Sequence, residues 1–380
     1  MSGGTTTLAA VVHLVVGPEE HGVVEYALRS QAALEALAHD AGCRGSEEDK
    51  NPAPGLNSGP RVVRAASWEE LDEQIVAEAL NAGTSMDQGA NPASVATLHV
   101  CFTDHLFGPT PQDAVDRVVR LARGRRLSVS FHDIPQTQEG RERFEERATA
   151  YARLGDRADV LAVNSRHEAA FFTERCAEAH PIVIPLPLPE VVGAVSDAEV
   201  GSGDGAGGPV VAVMGFVYPG KGHRELIEAL AGTGATVRAL GGLSEGHDWL
   251  RDQLETAARE AGVEFELTGY LAENELEAQM LAADVPVCAH RHFSASGSLM
   301  KWISLGRRVL VADSPYAREL AETWGEHIVP VKDDRWAEAI AALPADFVRR
   351  VAPAHSWTWA DVAAAYARAW TGADSGGGRA

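Results

Sequence analysis

Short apolar runs alternate with helical patterns along the first half of the chain. The run LAAVVHLVV at 8–16 ends at Gly17 and leads into a helix pattern over 23–38. VATLHVCF at 95–102, LSVSF at 127–131, VLAV at 160–163 and PIVIP at 181–185 are further strand candidates, and a helix pattern covers 141–154. Strands separated by helices predict parallel pairing in a doubly wound sheet. Residues 193–208 break this rhythm with GSGDGAGG and few apolar positions, so they read as a linker. The alternation then restarts, with strands expected at 210–214, 236–240, 264–267, 285–289 and 309–311. Helix patterns fall between them at 224–230, 248–261, 276–283, 299–305 and 317–323. The expected fold class is α/β, with two Rossmann-like doubly wound domains facing a central cleft. Ligands of such sheets bind beyond the carboxyl ends of the strands. Two stretches, 40–61 and 372–380, read as weakly ordered from their Gly, Pro and charge content.

Charge narrows the partners. The chain of 380 residues has 33 Lys and Arg against 54 Asp and Glu, a formal charge of −21. That makes the chain a poor candidate for wrapping nucleic acid, which needs clustered cations, and leaves room for a small basic pocket. The cysteines are Cys43, Cys101, Cys176 and Cys288, with no C-x-x-C pair, which fits reduced thiols in a cytoplasmic protein. The run at 8–16 has no preceding Lys or Arg, so it reads as a strand rather than a signal-peptide core. No apolar run reaches membrane-spanning length.

The sharpest local motif is GFVYPGKG, between a strand and a helix. Gly215, Gly220 and Lys221 satisfy G-x-x-x-x-G-K. Gly222 stands where Ser or Thr would hold magnesium, and Pro219 removes an amide donor, so a P-loop nucleotidase is not expected. Two readings remain: a tight turn with a solvated lysine, or a lysine aimed at a diphosphate. Downstream, Ser296-Gly297-Ser298 precedes a helix pattern. Free backbone N–H groups and two hydroxyls there suit a diphosphate; a plain N-cap by Ser296 or Ser298 is the other reading. Cys288, His290 and His292 alternate, but zinc would need a fourth ligand. The preferred reading makes Cys288 core and lets Arg291 or His292 reach the cleft.

In the first half, Gly17 and Gly22 bracket the loop GPEEHG, which allows close approach of a ligand to backbone. It is not G-x-G-x-x-G, which disfavours a dehydrogenase. His21 contacts phosphate or is an exposed loop histidine. The strand 127–131 ends in His132-Asp133, where Asp133 orients the imidazole or caps the following turn. Thr103-Asp104-His105 and Asn164-Ser165-Arg166 are further polar strand ends. Arg117, Arg120, Arg123, Arg125 and Arg126 form the largest basic cluster. A peripheral membrane contact for a lipid-linked acceptor is one reading of it; a solvated helix end is the other, and the commoner.

The order of motifs carries more than any one of them. GFVYPGKG, the helix LIEAL, a strand ending in Gly241-Gly242, FELTGYL, LEAQMLAADVPV and SASGSLMKWISLGRRVLV follow one another over 210–332. This succession resembles the C-terminal domain of GT-B fold glycosyltransferases, in the retaining, nucleotide-sugar-dependent group (glycosyl transferases group 1, family 4 type). SWTWADVAAAYARAW at 356–370 is similar to the family's terminal helix, which crosses back to the first domain. GPEEHGVVEYA, SFHDIP and VNSRHEAAFF are weaker matches. Departures are Phe216, where the family often has Arg, and Phe293 and Lys301, where it has paired Glu.

The resemblance implies a glycosyltransferase of hexosyltransferase type. It would move a sugar from a nucleotide-diphosphate donor to a hydroxyl acceptor with retention, without metal or cofactor. It implies donor diphosphate binding by Lys221, Gly17, Gly22, Ser296, Gly297 and Ser298. Gly215, Arg291 and His292 would be further donor contacts, and His132 with Asp133 would form the catalytic pair. The implied domains are 1–192 for the acceptor, a linker at 193–208, 209–350 for the donor, a crossover helix at 351–371 and a tail at 372–380. Two other readings stand beside this one: a non-catalytic nucleotide- or sugar-binding protein on the same scaffold, and a sugar-nucleotide epimerase.

Overall fold

The computed structural model describes residues 8–48, 59–82, 96–192, 208–290 and 295–371. The expected tail, all of the expected linker but its last residue, and Arg291, His292 and Phe293 lie outside the described residues. The chain divides into two compact units: Met1–Pro187 with Trp357–Ala380, and Leu188–Ser356.

The first unit contains a parallel six-stranded sheet. Its strands are β1 (Val11–Val16), β2 (Arg61–Ala65), β3 (Thr97–Phe102), β4 (Arg126–Phe131), β5 (Val160–Val163) and β6 (Ile182–Val183). The order is β2-β1-β3-β4-β5-β6. Its helices are α1 (Gly22–Glu48), α2 (Glu73–Ala82), α3 (Pro111–Leu121), α4 (Arg141–Arg157) and α5 (Arg166–Arg175). Local chemistry sets several starts. Thr110 caps α3 by accepting from Asp113 N, with Pro111 at its first position, and Ser165 caps α5 by accepting from Glu168 N.

The second unit repeats the scheme with β7 (Val210–Met214), β8 (Thr236–Leu240), β9 (Glu264–Leu267), β10 (Val285–Cys288), β11 (Val309–Ala312) and β12 (Ile328–Val331). All pairs are parallel, in the order β12-β11-β10-β7-β8-β9. The helices are α6 (His223–Ala229), α7 (Leu250–Ala261), α8 (Glu273–Ala282), α9 (Gly297–Ser304), α10 (Pro315–Trp324) and α11 (Trp336–Ala341).

The last helix, α12 (Trp359–Thr371), belongs to the first unit. It buries Val362, Ala363, Tyr366 and Trp370, the 3.6-residue stripe of an amphipathic helix. Tyr366 OH donates to Ser130 Oγ at 2.8 Å and Trp370 Nε1 to Ser128 Oγ at 2.9 Å. Trp357 Nε1 donates to Pro185 O at 2.9 Å just before the helix.

The expectation of weak order over 40–61 is corrected at both ends. α1 continues to Glu48, and Arg61 opens β2, which pairs with β1 through Leu14 opposite Val63. β2 is an edge strand with one buried residue, Val63, so its apolar signal is too short to stand out. Among the described residues, no helix is long and apolar enough to cross a membrane.

Candidate functional site

Strand order in the second unit reverses between β7 and β10, where an open α/β sheet leaves a crevice beyond its strand ends. Gly215 and Lys221 follow β7; Ala289 and His290 follow β10. Lys221 is only 5% exposed. A Cβ on Gly215, whose φ is +110°, would meet Lys221 Nζ at 3.0 Å, so the ammonium lies directly over that glycine. Among the described residues Nζ has no hydrogen-bond acceptor, and the Tyr218 ring centroid lies 5.9 Å away. Burial lowers the Lys221 pKa to about 8, and the nearby Cys288 pulls weakly the other way.

Gly222 is required by space. Its φ is +91°, and a Cβ there would fall 2.1 Å from Ala289 O. The Ser or Thr of a magnesium-holding loop does not fit, because this loop packs onto the end of β10. His223 follows, buried, with neither ring nitrogen partnered among the described residues. Burial lowers its pKa to about 3, and the Lys221 charge adds to that. His290 is pushed well below the ordinary histidine range by burial, then by Lys221 and His223. The groups that act on the three include Cys288, Lys221 and His223. Three nitrogen bases thus converge in a site that penalises their cationic forms and would be relieved by an anion.

The start of α9 adjoins this group. Ser296 Oγ accepts from Leu299 N at 3.2 Å, and Ser298 Oγ lies 3.1 Å from Ser296 Oγ. Ser298 also hydrogen-bonds Cys288, whose thiol burial raises to about 11 despite the opposing pull of Lys221 and Ser298. Gly297 is the first residue of α9. The structure therefore brings Gly215, Lys221, Cys288, His290 and Ser298 to one end of the sheet. His223 was missed in the sequence; its signal was a histidine immediately after the G-K-G turn. Lys301 has a different role. It is buried, with Nζ 2.5 Å from Glu273 Oε1, 2.6 Å from Glu277 Oε1 and 3.3 Å from Glu190 O.

In the first unit the order reverses between β1 and β3. Gly17 ends β1 with φ +120°, and Gly22 opens α1. Between them, His21 Nδ1 accepts from Val23 N at 3.2 Å. Its proton is therefore on Nε2, which donates to His105 Nε2 at 3.0 Å. His105 Nδ1 then donates to Thr103 Oγ1 at 3.2 Å. Burial, then the proximity of His105, lowers His21 to about 4, so the relay is neutral at pH 7. In the sequence the two histidines lie 84 residues apart, and nothing local marks them as neighbours. Beside it, a cavity of about 710 Å³ is lined by Asp104, His105, Glu139, Arg141, Arg143 and Arg147, among others.

The expected pairing of His132 with Asp133 is corrected. His132 is buried, lowered to about 3 by burial with a smaller push from His21, with Nε2 3.2 Å from Ser130 Oγ and its ring edge-on to Tyr26 at 4.7 Å. Asp133 has φ +54° and turns its carboxylate to Arg147, 3.2 Å away. Arg147 is buried and also holds Asp104 at 3.1 Å and Glu139 at 2.5 Å. A buried guanidinium claims every carboxylate within reach, and Asp133 goes to it. The basic cluster is mostly engaged within the unit. Arg117 donates to Phe107 O, Arg120 pairs with Glu73 at 2.5 Å, Arg125 donates to Asn81 and Arg126 to Trp370 O at 3.1 Å.

No protein-family model matches the chain, and no curated protein matches it. Solved structures do. HepE from Anabaena, in complex with UDP and glucose, is 17% identical, with 95% of each chain covered and a TM-score of 0.60. Sucrose-phosphate synthase from Thermosynechococcus elongatus is 16% identical, covering 96% of this chain and 94% of that one, with a TM-score of 0.59. AviGT4, a glycosyltransferase involved in avilamycin A biosynthesis, is 17% identical, covering 97% and 98%, with a TM-score of 0.51. With two parallel six-stranded Rossmann-like sheets and likeness to these glycosyltransferases over nearly its whole length, the chain has the GT-B glycosyltransferase fold.

Proposed function

We propose that the protein is a glycosyltransferase that moves a sugar from a nucleotide-diphosphate donor to a hydroxyl acceptor. The observation that carries this reading is Lys221, a buried ammonium with no described acceptor, at the switch point of the second sheet. A diphosphate supplies the missing negative charge. Departure of that diphosphate is the hard step, and a pre-positioned cation with free N–H groups stabilises the charge as it develops. Lys221, the first amides of α9 and the Ser298 hydroxyl fill that role. His223 and His290, both neutral, can donate from one ring nitrogen each. HepE, of the same fold, binds UDP and glucose, and this supports the donor class. Retention of configuration and independence from metal belong to the same proposal. On the acceptor side, the His21–His105 relay and the polar cavity beside it replace the His132–Asp133 pair as the groups that meet a hydroxyl.

A second reading has its own observation. Lys301 stands where the family has a carboxylate, and Glu273 and Glu277 neutralise it internally. A scaffold that binds a nucleotide without turnover would tolerate that change. One experiment separates the readings: calorimetry with UDP, GDP, ADP and their sugar conjugates, beside donor breakdown followed by mass spectrometry and NMR. Release of nucleoside diphosphate from one conjugate is expected. Binding with the donor intact over long incubation would favour the non-catalytic scaffold, and conversion of the donor sugar to its epimer would favour an epimerase.

A further inference from the structure

Strands of a parallel sheet covered on both faces ordinarily read as continuous apolar runs. β1, β3 and β4 do not. The register sets His13 opposite His99, His99 opposite Ser128, and Cys101 opposite Ser130. These five side chains share one face of the sheet, beneath α1 and α12, and all are buried. Their centre is a triangle. Cys101 Sγ lies 3.8 Å from His13 Nε2 and 4.0 Å from His99 Nε2, and the three atoms are all within 4.8 Å of one another. No carboxylate belongs to the group.

Second partners fix the ring orientations. Gln31 Nε2 donates to Glu35 Oε1 and to Pro60 O, both at 2.8 Å, so its Oε1 faces His13 Nδ1 at 3.2 Å as an acceptor. His13 therefore carries its proton on Nδ1, and its Nε2 lone pair points at the sulfur. His99 Nδ1 lies 3.0 Å from Ser128 Oγ, which accepts from Trp370 Nε1 and has a second lone pair free for the His99 proton. This is the outer-shell arrangement of metal-binding imidazoles, in which the far nitrogen is hydrogen-bonded and the near one is bare. Hydrogen bonding alone does not account for it. A thiol has one proton, a weak donor, so only one of the two S···N contacts, at 3.8 and 4.0 Å, can be its hydrogen bond.

We propose that His13 Nε2, His99 Nε2 and Cys101 Sγ form a three-coordinate site for a soft monovalent cation, copper(I). Bond lengths like those of zinc, about 2.3 Å to sulfur and 2.0–2.1 Å to nitrogen, place sulfur and nitrogen about 3.8 Å apart in a trigonal plane and about 3.6 Å apart in a tetrahedron. The two S···N separations, 3.8 and 4.0 Å, lie nearer the planar value, and the third edge, within 4.8 Å, closes to about 3.5 Å as the rings turn onto the ion. Thiolate and imidazole are ligands suited to copper(I). One thiolate and a monovalent ion leave the core neutral; a divalent ion would leave a buried positive charge with no counterion in the group. On loading, the Cys101 S–H bond breaks, one proton leaves, and one Cu–S and two Cu–N bonds form, with no change in oxidation state. The site is closed to solvent by α1 and α12, so loading accompanies folding.

The 380-residue chain would be unfolded and refolded anaerobically with copper(I) buffered by a chelator, then desalted. The expected result is one copper per chain, a raised Tm, and an X-ray absorption spectrum with one sulfur and two nitrogen neighbours. Cys101→Ala should abolish retention and Cys176→Ala should leave it intact. Gln31→Leu should weaken retention about 10–100-fold through ring orientation. Refolded protein without copper, copper bound with no sulfur neighbour, or a folded Cys101→Ala variant that keeps its copper would overturn the proposal. So would preferential retention of zinc(II) in a parallel refolding. The wild-type sulfur count stands even if Cys101→Ala does not fold.

Discussion

The two units share an architecture and differ in where they put polarity. In the second, VVAVM of β7 and VPVC of β10 are apolar throughout, and Lys221, His223 and His290 come only after the strands end. In the first, histidines and serines sit inside β1, β3 and β4 and face α1 and α12. A polar core face is stable only when its donors and acceptors are met. Much of that work falls to α12, from the far end of the chain, through Tyr366 on Ser130 and Trp370 on Ser128. The second unit needs no such loan. Its fully buried Arg307 finds acceptors nearby for both terminal nitrogens, donating to Met280 O, Leu281 O and Ala283 O at the end of α8, while its Nε has no partner among the described residues. A doubly wound sheet thus tolerates interior polarity when a late segment brings partners, and makes its stability depend on that segment.

The most direct way to break this comparison is Trp370→Ala. The change removes a side chain 1% exposed and leaves Ser128 with one partner fewer. Truncation of a buried Trp costs about 3–5 kcal/mol. Hydrogen exchange should show lost protection in β3 and β4 and none in β7 and β10. Equal losses in both units would mean that the first does not depend on α12 in the way its hydrogen bonds indicate.

Lys221→Ala tests the other side. It should weaken a nucleoside diphosphate by about 1.5–3 kcal/mol, the worth of a charge-assisted hydrogen bond, and leave the nucleoside nearly unchanged. Calorimetry on both ligands reads the difference. Equal loss for the two would indicate a folding defect rather than a lost phosphate contact. The wild-type affinity for diphosphate should also decline as pH rises through about 8, where Lys221 in the free protein loses its proton.

What the sequence disclosed follows the same division. The second unit was legible because its central strands β7 and β10 are apolar and its chemistry lies in Gly-rich turns; the helix expected at 317–323 is α10, Pro315–Trp324. Lys221 stood out by motif. The first unit hid its interior. His99 and Cys101, then Ser128, Ser130 and His132, alternate with period two, a pattern that ordinarily marks a solvated face. The placement of α1 and α12 turns that face inward. The pairing of Asp133 with Arg147 was equally out of reach, because Arg147 lies on α4 and nothing local marks it as buried. The edge strand β2 is short and mostly exposed, and it lacked a readable pattern.

Acid sharpens the comparison at a smaller scale. Burial lowers His13 to about 4 and His132 to about 3, and holds His99 well below its usual range. These rings stay neutral in the folded chain, while the unfolded chain takes up protons near 6.5. Their contribution is therefore fully present above about 6.5 and is lost as pH falls toward the folded values, by about 1.4 kcal/mol per pH unit for each histidine. Urea unfolding between pH 7 and 5 should show this fall, and His13→Gln should flatten it by about one proton. An unchanged slope would show that His13 does not titrate as a buried neutral ring.

The smallest effect separates cap from ligand at the start of α9. Ser296 Oγ accepts from Leu299 N and has the extended backbone of an N-cap, with φ −144° and ψ 100°. Ser296→Ala should cost about 1 kcal/mol of stability, the usual worth of a cap. Ser298 caps nothing. Its hydroxyl lies between Ser296 Oγ and the Cys288 thiol, on the side of the sheet where Lys221 sits. Ser298→Ala should leave the unfolding midpoint almost unchanged and weaken diphosphate binding by about 0.5–1.5 kcal/mol, one ordinary hydrogen bond. Thermal unfolding and calorimetry on both variants give a two-by-two pattern: stability moves with Ser296 and affinity with Ser298. If Ser298→Ala leaves affinity untouched, the start of α9 is a structural cap alone, and the anion site of the second unit shrinks to Lys221, His223 and His290.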